Sequence, residues 1–339
     1  MTRFSKYLVS TLVALVFSSG AISGQPEFPL TLDSTLISKS LFLDVTRTGN
    51  YIIAVGERGH IVLSKDGRNW KQAVVPVDST LTGVYFHDER LGWAVGHDAV
   101  ILKTGDGGHT WRKVYSDVQE EAPLLDIWFR NSSEGIAIGA YGMYLLTHDG
   151  GETWDRNEFS VVDTQDEEQS GETDALVDLY DLHLNSITGS ADGRLYIVAE
   201  AGRIYRSEDS GNTWQELTSP YIGSLFGILA PSPATLLVFG LRGHLYLSQN
   251  AGESWELAES HTREMLTDGT VLNNGTIVIS GMGGTLLISH DNGLTFNLKQ
   301  LSRRSNFSAV EYTGSGTLVM TGDTGISLVD INQSGPNDE

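Results

Sequence analysis

Six residues able to act as acids, bases or metal ligands recur at matched positions: Asp66, Asp106, Asp149, Asp209, Asn250 and Asp291. Paired carboxylates can divide acid and base roles at a glycosidic bond, and clusters of them can hold calcium. The surroundings of these six point elsewhere. Three stand in the pattern Ser/Thr-x-Asp-x-Gly-x-Thr-Trp, at Thr104 to Trp111, Thr147 to Trp154 and Ser207 to Trp214. Ser248 to Trp255 replaces the acid with Asn250, Ser289 to Phe296 keeps Asp291, Gly293 and Thr295, and Ser64 to Trp70 is one residue shorter. In a hairpin turn such a side chain accepts N–H groups of its own turn, glycine supplies the positive φ, and the indole packs between sheets. A catalytic set is built once, whereas this unit repeats along the chain, so the six are read as structural.

Little other chemistry is on offer. The chain has no cysteine, which removes disulfides, thiolate metal sites and cysteine nucleophiles. Nine histidines include no close pair of the His-x-x-x-His kind, and no Asp-x-Asp-x-Asp-Gly calcium loop is present. Phosphate loops, dinucleotide fingerprints and serine elbows are absent as well. The expectation is therefore no catalytic residue, no metal and no cofactor. With 43 acids against 22 bases and a net charge of −21, the chain repels phosphate backbones and anionic headgroups, which argues against nucleic acid as a partner.

The elements that carry the repeated turns follow from a second repeat. Small residues at Gly56, Gly96, Gly139, Ala199, Gly240, Gly281 and Gly322 recur about every 40 residues, a period that fits four short strands per unit. Thirty-eight glycines with only 8 prolines agree with many tight turns. In the third unit the pattern predicts strands at Leu124–Phe129, Gly135–Gly139 and Tyr144–Thr147, with a fourth from Trp154 onward. Seven such units predict an all-β fold, a seven-bladed β-propeller of four-stranded antiparallel blades. The last unit stops at Asp330-Ile331, one strand short, so residues about 28 to 38, with Phe28, Leu30, Leu32 and Leu36, are expected to close the ring as an N-terminal strand. The uncharged stretch Tyr221 to Leu241 is long enough to raise a membrane span, but Pro231 and Pro233 divide it into two strands and a turn.

Arg3 and Lys6, an apolar run from Tyr7 to Phe17, and small residues at Ala21 and Ser23 read as a signal peptide over residues 1–23. The apolar run is well short of the ~20 residues a bilayer needs. This predicts a monomeric periplasmic protein with no membrane insertion after cleavage. A single propeller over 24–332 and a disordered tail at 333–339 complete the organisation. The interval between Gly139 and Ala199 is wider than the others and marks an acidic insertion at about 158–179, either a solvated loop or a docking loop for a basic partner.

In such a propeller the turns joining second to third strands share a face with the blade-to-blade connections, and the Asp-bearing turns lie opposite. On the first face Arg58, His97, Tyr141, Arg203 and Arg242 differ from unit to unit, as a binding surface on a repetitive scaffold requires.

The stretch Val84-Tyr85-Phe86-His87-Asp88-Glu89-Arg90-Leu91-Gly92-Trp93-Ala94-Val95-Gly96 resembles the photosystem II stability/assembly factor family, whose Asp-box turns are also called BNR repeats. So do Ile101-Leu102-Lys103-Thr104 and Gly56-Glu57-Arg58-Gly59-His60-Ile61-Val62-Leu63-Ser64. The resemblance implies a seven-bladed propeller on the lumenal or periplasmic side, without enzymatic activity, that binds a partner polypeptide during membrane-protein assembly. Relatives in non-photosynthetic bacteria resemble accessory proteins of resistance-nodulation-division exporters. The chain lacks the lipoprotein cysteine of many cyanobacterial members, and of the family's arginine patch only Arg58, Arg203 and Arg242 fall in comparable loops. The expected function is a non-enzymatic periplasmic accessory or assembly factor whose channel face binds a membrane or exported protein. The alternatives are a photosystem II assembly factor, or a glycoside hydrolase or glycan-binding protein of the sialidase type. Seven units rather than six, and no Arg-Ile-Pro segment, weigh against a sialidase.

Overall fold

Short Val-, Ile- and Leu-rich runs separated by glycine-bearing turns form seven antiparallel meanders, each hydrogen-bonded in sequence order. The computed structural model describes residues 37–162, 182–314 and 316–331. The third unit shows Leu124–Phe129, Gly135–Gly139 and Tyr144–Thr147 at the expected limits, with Asp155–Arg156 as its fourth strand. Within Tyr221 to Leu241 lie two paired strands, Leu225–Leu229 and Leu236–Gly240. Among the described residues no helix is long and apolar enough to cross a membrane.

The first strands of the blades begin at Phe42, Leu81, Leu124, Leu184, Leu225, Leu266 and Phe307. Each touches the first strand of the next, and the strand from Phe307 touches the one from Phe42, so the seven form a closed ring around an axis. Both faces of every blade are buried against neighbours, and one apolar cluster fills each of the seven seams. Between blades two and three Trp93 stacks on Phe129, with Trp154 edge-on to it. Between blades seven and one Phe42, Ile52, Val62 and Trp70 pack on Ala309, Val319 and Leu328. A fully buried side chain of this size stabilises by about 1.5–3 kcal/mol, so each seam contributes heavily with no covalent tie.

Side chains also bridge seams at the inner strands. Asp44 accepts the Val84 N–H at 2.7 Å, and Asp126 accepts the Ile187 N–H at 2.9 Å and the Ser186 hydroxyl at 3.1 Å. Asp268 accepts the Val310 N–H at 2.8 Å. The Thr82 hydroxyl and the Asn185 amide donate to the carbonyls of Leu124 and Leu225, at 2.6 and 2.8 Å.

Blade four has five strands, because Val161–Val162 adds in parallel to its outer strand Trp214–Glu216. Residues 158–162 of the acidic insertion therefore belong to that blade, with Phe159 buried against Tyr144, Tyr205 and Trp214. The rest of the insertion, to about 179, falls within residues 163–181, which lie outside the described residues. Blade seven has three strands, Phe307–Tyr312, Thr317–Gly322 and Gly325–Asp330. Phe28, Leu30, Leu32 and Leu36, expected to supply its fourth, lie outside the described residues, as do the leader and the tail. Residues 37–40 form a turn, and the Ser38 carbonyl accepts the Ile326 N–H at 2.9 Å. Segment 38–41 thereby stands where a blade-to-blade connection stands elsewhere. A Cβ on Gly325 would meet the Ser38 oxygen at 2.1 Å, as one on Gly59 would meet the Val77 oxygen at 2.1 Å.

The repeated small residues have one physical cause. Each ends the second strand of its blade where the chain entering the first strand crosses close behind it. The next N–H donates to that crossing carbonyl, as His97 does to Thr80 at 2.9 Å and Leu241 to Ser224 at 3.1 Å. A Cβ on Gly96 would sit 2.1 Å from the Thr80 oxygen. Gly96→Ala should therefore lower stability by about 1–3 kcal/mol in urea unfolding, since backbone rather than a side-chain tip must move. Gly105→Ala, with nothing within 4 Å, should change it by no more than about 0.5 kcal/mol.

Candidate functional site

The repeated acids are consumed by their own turns. Asp106 accepts the His109 and Thr110 N–H groups at 3.0 Å each and the hydroxyls of Thr104 and Thr110 at 2.8 and 2.6 Å. Asp149, Asp209 and Asp291 repeat the pattern with Thr153, Thr213 and Thr295. Asp66 instead accepts Arg68 and Asn69 N–H groups in its shorter turn. Asn250 accepts the Ser254 N–H at 2.9 Å and donates its amide to the Ser254 hydroxyl. Bonds from the Thr295 hydroxyl and N–H hold the Asp291 carboxyl down to about 2, and those from Thr153 hold Asp149 well below the usual carboxylate range. Carboxylates held this firmly in the anionic form make poor proton donors.

Three further acids line the axis, and the sequence reading did not single them out. Asp44, Asp126 and Asp268 occupy the same place on the first strands of blades one, three and six, two residues after Phe42, Leu124 and Leu266. Burial pushes Asp268 up to about 7 and Asp126 up to about 6, and holds Asp44 well above its ordinary range. Their oxygens are engaged by backbone N–H groups across the seams, so they too serve the ring. Glu311 on blade seven is raised to about 7, again by burial. Among the described residues no group of three His, Cys, Asp or Glu is placed to hold a metal.

The opposite end, where turns between second and third strands meet the blade-to-blade connections, is built to vary. In blades one to six the middle residue of this turn lies in the left-handed region: Arg58 (φ 55), Asp98 (φ 61), Tyr141 (φ 53), Ala201 (φ 54), Arg242 (φ 58) and Gly283 (φ 62). Only blade six uses glycine there, so the others retain a side chain despite the backbone strain. Arg58 and Arg242 are exposed and have no ion pair or hydrogen bond among the described residues, and Tyr141 is 53% exposed with its ring edge-on to His183. His97 is exposed one residue before the equivalent position. Arg203 departs from this group: its guanidinium makes two bonds, 2.6 and 2.7 Å, to Glu216 on the outer strand of blade four. The five residues picked from sequence thus share a face, but only four present free side chains on it.

A second set completes this face. Three residues before the first strand, the described connections carry an exposed residue: Lys39, Asp78, Glu121, Ile222, Arg263 or Arg304. Arg263, Arg303 and Arg304 have no ion pair or hydrogen bond among the described residues. With Lys39, Arg58 and Arg242 they place six bases over blades five to seven and one, against the four acids Glu57, Glu259, Glu264 and Asp323. Asp78, Asp98, Asp117, Glu120 and Glu121 make it acidic over blades two and three. Sequence reading missed these arginines because it looked only at turns. A fixed offset of three from the first-strand anchor would have found Arg263 and Arg304.

Residues 61–265, more than half of the chain, match the family Photosynthesis system II assembly factor YCF48. The chain belongs to this family. Photosystem II stability/assembly factor HCF136, chloroplastic, of Cyanidioschyzon merolae is 31% identical over 96 residues, a stretch that spans 26% of this chain and only 22% of that protein. Among solved structures, YCF48 bound to a D1 peptide shares the fold with a TM-score of 0.66 at 19% identity, covering 87% of this chain and 94% of that one. YCF48 from Cyanidioschyzon merolae gives 0.65 at 16% identity, covering 86% and 95%. An ancestral GH74 enzyme gives 0.65 at 14% identity, covering 87% of this chain and 45% of that one. The YCF48 fold is thus shared with an enzyme scaffold, and architecture alone does not decide activity.

The two sets of acids have opposite pH consequences. The axial carboxyls and Glu311 have folded pKa values above their unfolded ones, so their contribution is complete below about pH 4 and is lost as pH rises through about 6 to 7. The turn aspartates are lowered, so theirs is complete above about pH 4 and is lost as pH falls toward 2. The urea midpoint should therefore peak near pH 4 to 5. Asp268→Asn should flatten the fall between about pH 4 and 7 while leaving the acid limb unchanged.

Proposed function

We propose that this protein is a non-enzymatic assembly or accessory factor, acting on the exported side of a membrane, that holds a partner polypeptide on its turn-and-connection face. The observation that carries this reading is the grouping of unpaired arginines, Arg58, Arg242, Arg263, Arg303 and Arg304, on one side of that face in a chain whose net charge is −21. In an acidic protein, basic side chains without internal partners mark a surface that meets negative charge. A relative of the same fold, YCF48, has been seen bound to a D1 peptide, which supports a polypeptide ligand. Family membership and the leader-like N-terminus support a partner that is a membrane or exported protein, either a photosystem II subunit or a component of another assembly such as an exporter. Glycoside hydrolysis is disfavoured by the axial aspartates, whose oxygens are held by backbone N–H groups instead of being free to face a sugar.

A photoreactive residue in place of Arg304, with a control in place of Asn250 in an opposite-face turn, tests the reading by crosslinking in intact cells. Capture of one polypeptide from position 304 alone is expected. Adding Arg58→Gly should reduce that capture without lowering the thermal midpoint, because glycine suits a φ of 55°. Equal capture from both faces, or from neither, would overturn the assignment.

A further inference from the structure

The outer strand of blade five, Glu256–Leu257, has an open edge. Glu256 pairs with Leu247, and the Ala258 N–H donates to the Leu245 carbonyl at 2.9 Å, so both turn inward. The intervening Leu257 must direct its own N–H and carbonyl away from the blade. Its side chain is 57% exposed. The molecule already shows what such edges accept. On blade two Val74 runs parallel to the outer strand, accepting the Trp111 N–H at 2.9 Å and donating to the His109 carbonyl. On blade four Val161–Val162 does the same, and the Trp214 N–H donates to the Ser160 carbonyl. The amide of Trp255, at the corresponding place on blade five, has no such partner among the described residues.

Beside this edge lies a cleft of about 620 Å³ lined by Leu257, Ala258, His244 and Ser260, where two bases, Arg242 and Arg263, outnumber the one acid, Glu259. Ser260 fixes its wall by donating to the Gly243 carbonyl at 2.7 Å. His244 packs against Tyr221, 4.2 Å away, and lies parallel to Tyr246 at 6.0 Å. An apolar surface and open main-chain groups together with two unpaired arginines match an extended segment that alternates apolar and acidic residues.

We propose that the edge of blade five is a docking edge at which such a segment of a partner polypeptide adds as a parallel outer strand, its carboxylates meeting Arg242 and Arg263. This rests on the reading of the turn-and-connection face as the partner surface and specifies how one part of it binds. Because the main chain supplies the pairing, the ligand is recognised by extended shape and charge pattern more than by any single side chain.

The test is fluorescence anisotropy on the full chain with a labelled, N-acetylated, C-amidated peptide Ser-Glu-Val-Glu-Val-Glu-Ser. Saturable binding is expected, abolished when lysine replaces glutamate and weakened at least about tenfold by N-methylation of either the two valines or the three glutamates, whichever set turns its N–H groups to the edge. Arg242→Gln with Arg263→Gln should weaken it by a similar factor, and Leu257→Asp should as well, whereas Arg68→Gln, in an exposed turn on the opposite face, should leave it unchanged. Circular dichroism melting confirms that each variant is folded. Affinity for both N-methylated peptides equal to that for the unmodified one, or equal loss with Arg68→Gln, would overturn edge addition. Absence of peptide binding while position 304 still captures its partner would overturn it too, and would leave the broader reading standing.

Discussion

A ring of sheets holds only if the last blade meets the first, because every blade buries both faces and none can satisfy both alone. Here that meeting is made by side chains. Phe42, Ile52 and Trp70 on blade one press on Ala309, Val319 and Leu328 on blade seven, and the Ser38 carbonyl ties segment 38–41 to Ile326. The other six seams repeat the solution with different apolar residues, and inner-strand polar side chains cross most of them. With no cysteine in the chain, closure is a matter of packing and hydrogen bonds throughout.

The scaffold separates what must repeat from what can change. The close crossing behind the second strand and the acid in the outer hairpin are fixed by sterics and hydrogen bonding, so they recur in nearly every blade. The middle residue of each inner turn and the bend of each connection face solvent, and there the chain places arginine, aspartate, tyrosine or isoleucine. Arg58, Tyr141 and Arg242 keep side chains in the left-handed region, where glycine would sit more easily, as do Asp98 and Ala201 in the neighbouring turns.

What could be read from the sequence follows the same division. The anchors at Gly56 to Gly322 and the hairpin acids carry the architecture because local geometry demands those residue types, and the strands of the third unit lie at their expected limits. The site was half legible. Arg58, His97, Tyr141 and Arg242 stand exposed on the expected face, but Arg203 is tied to Glu216 by a cross-strand pairing that no repeat pattern reveals. Arg263, Arg303 and Arg304 were overlooked because connections between blades share no sequence motif, only an offset from the strand that follows. The axial aspartates were hidden for another reason: they read as isolated polar breaks in apolar strands, and only the ring brings Asp44 to Val84 or Asp268 to Val310.

The seam between blades seven and one also sets an order of events for a chain made or threaded from its N-terminus. Blades one to six can each find a neighbour soon after it appears, but the outward face of Phe42 and Trp70 has no cover until the strands from Phe307 onward arrive. Through most of synthesis the nascent chain presents an apolar sheet face to its surroundings, the kind of surface on which holdase chaperones act and aggregates nucleate. A truncation that removes blade seven should therefore leave an open, sticky arc in place of a smaller ring.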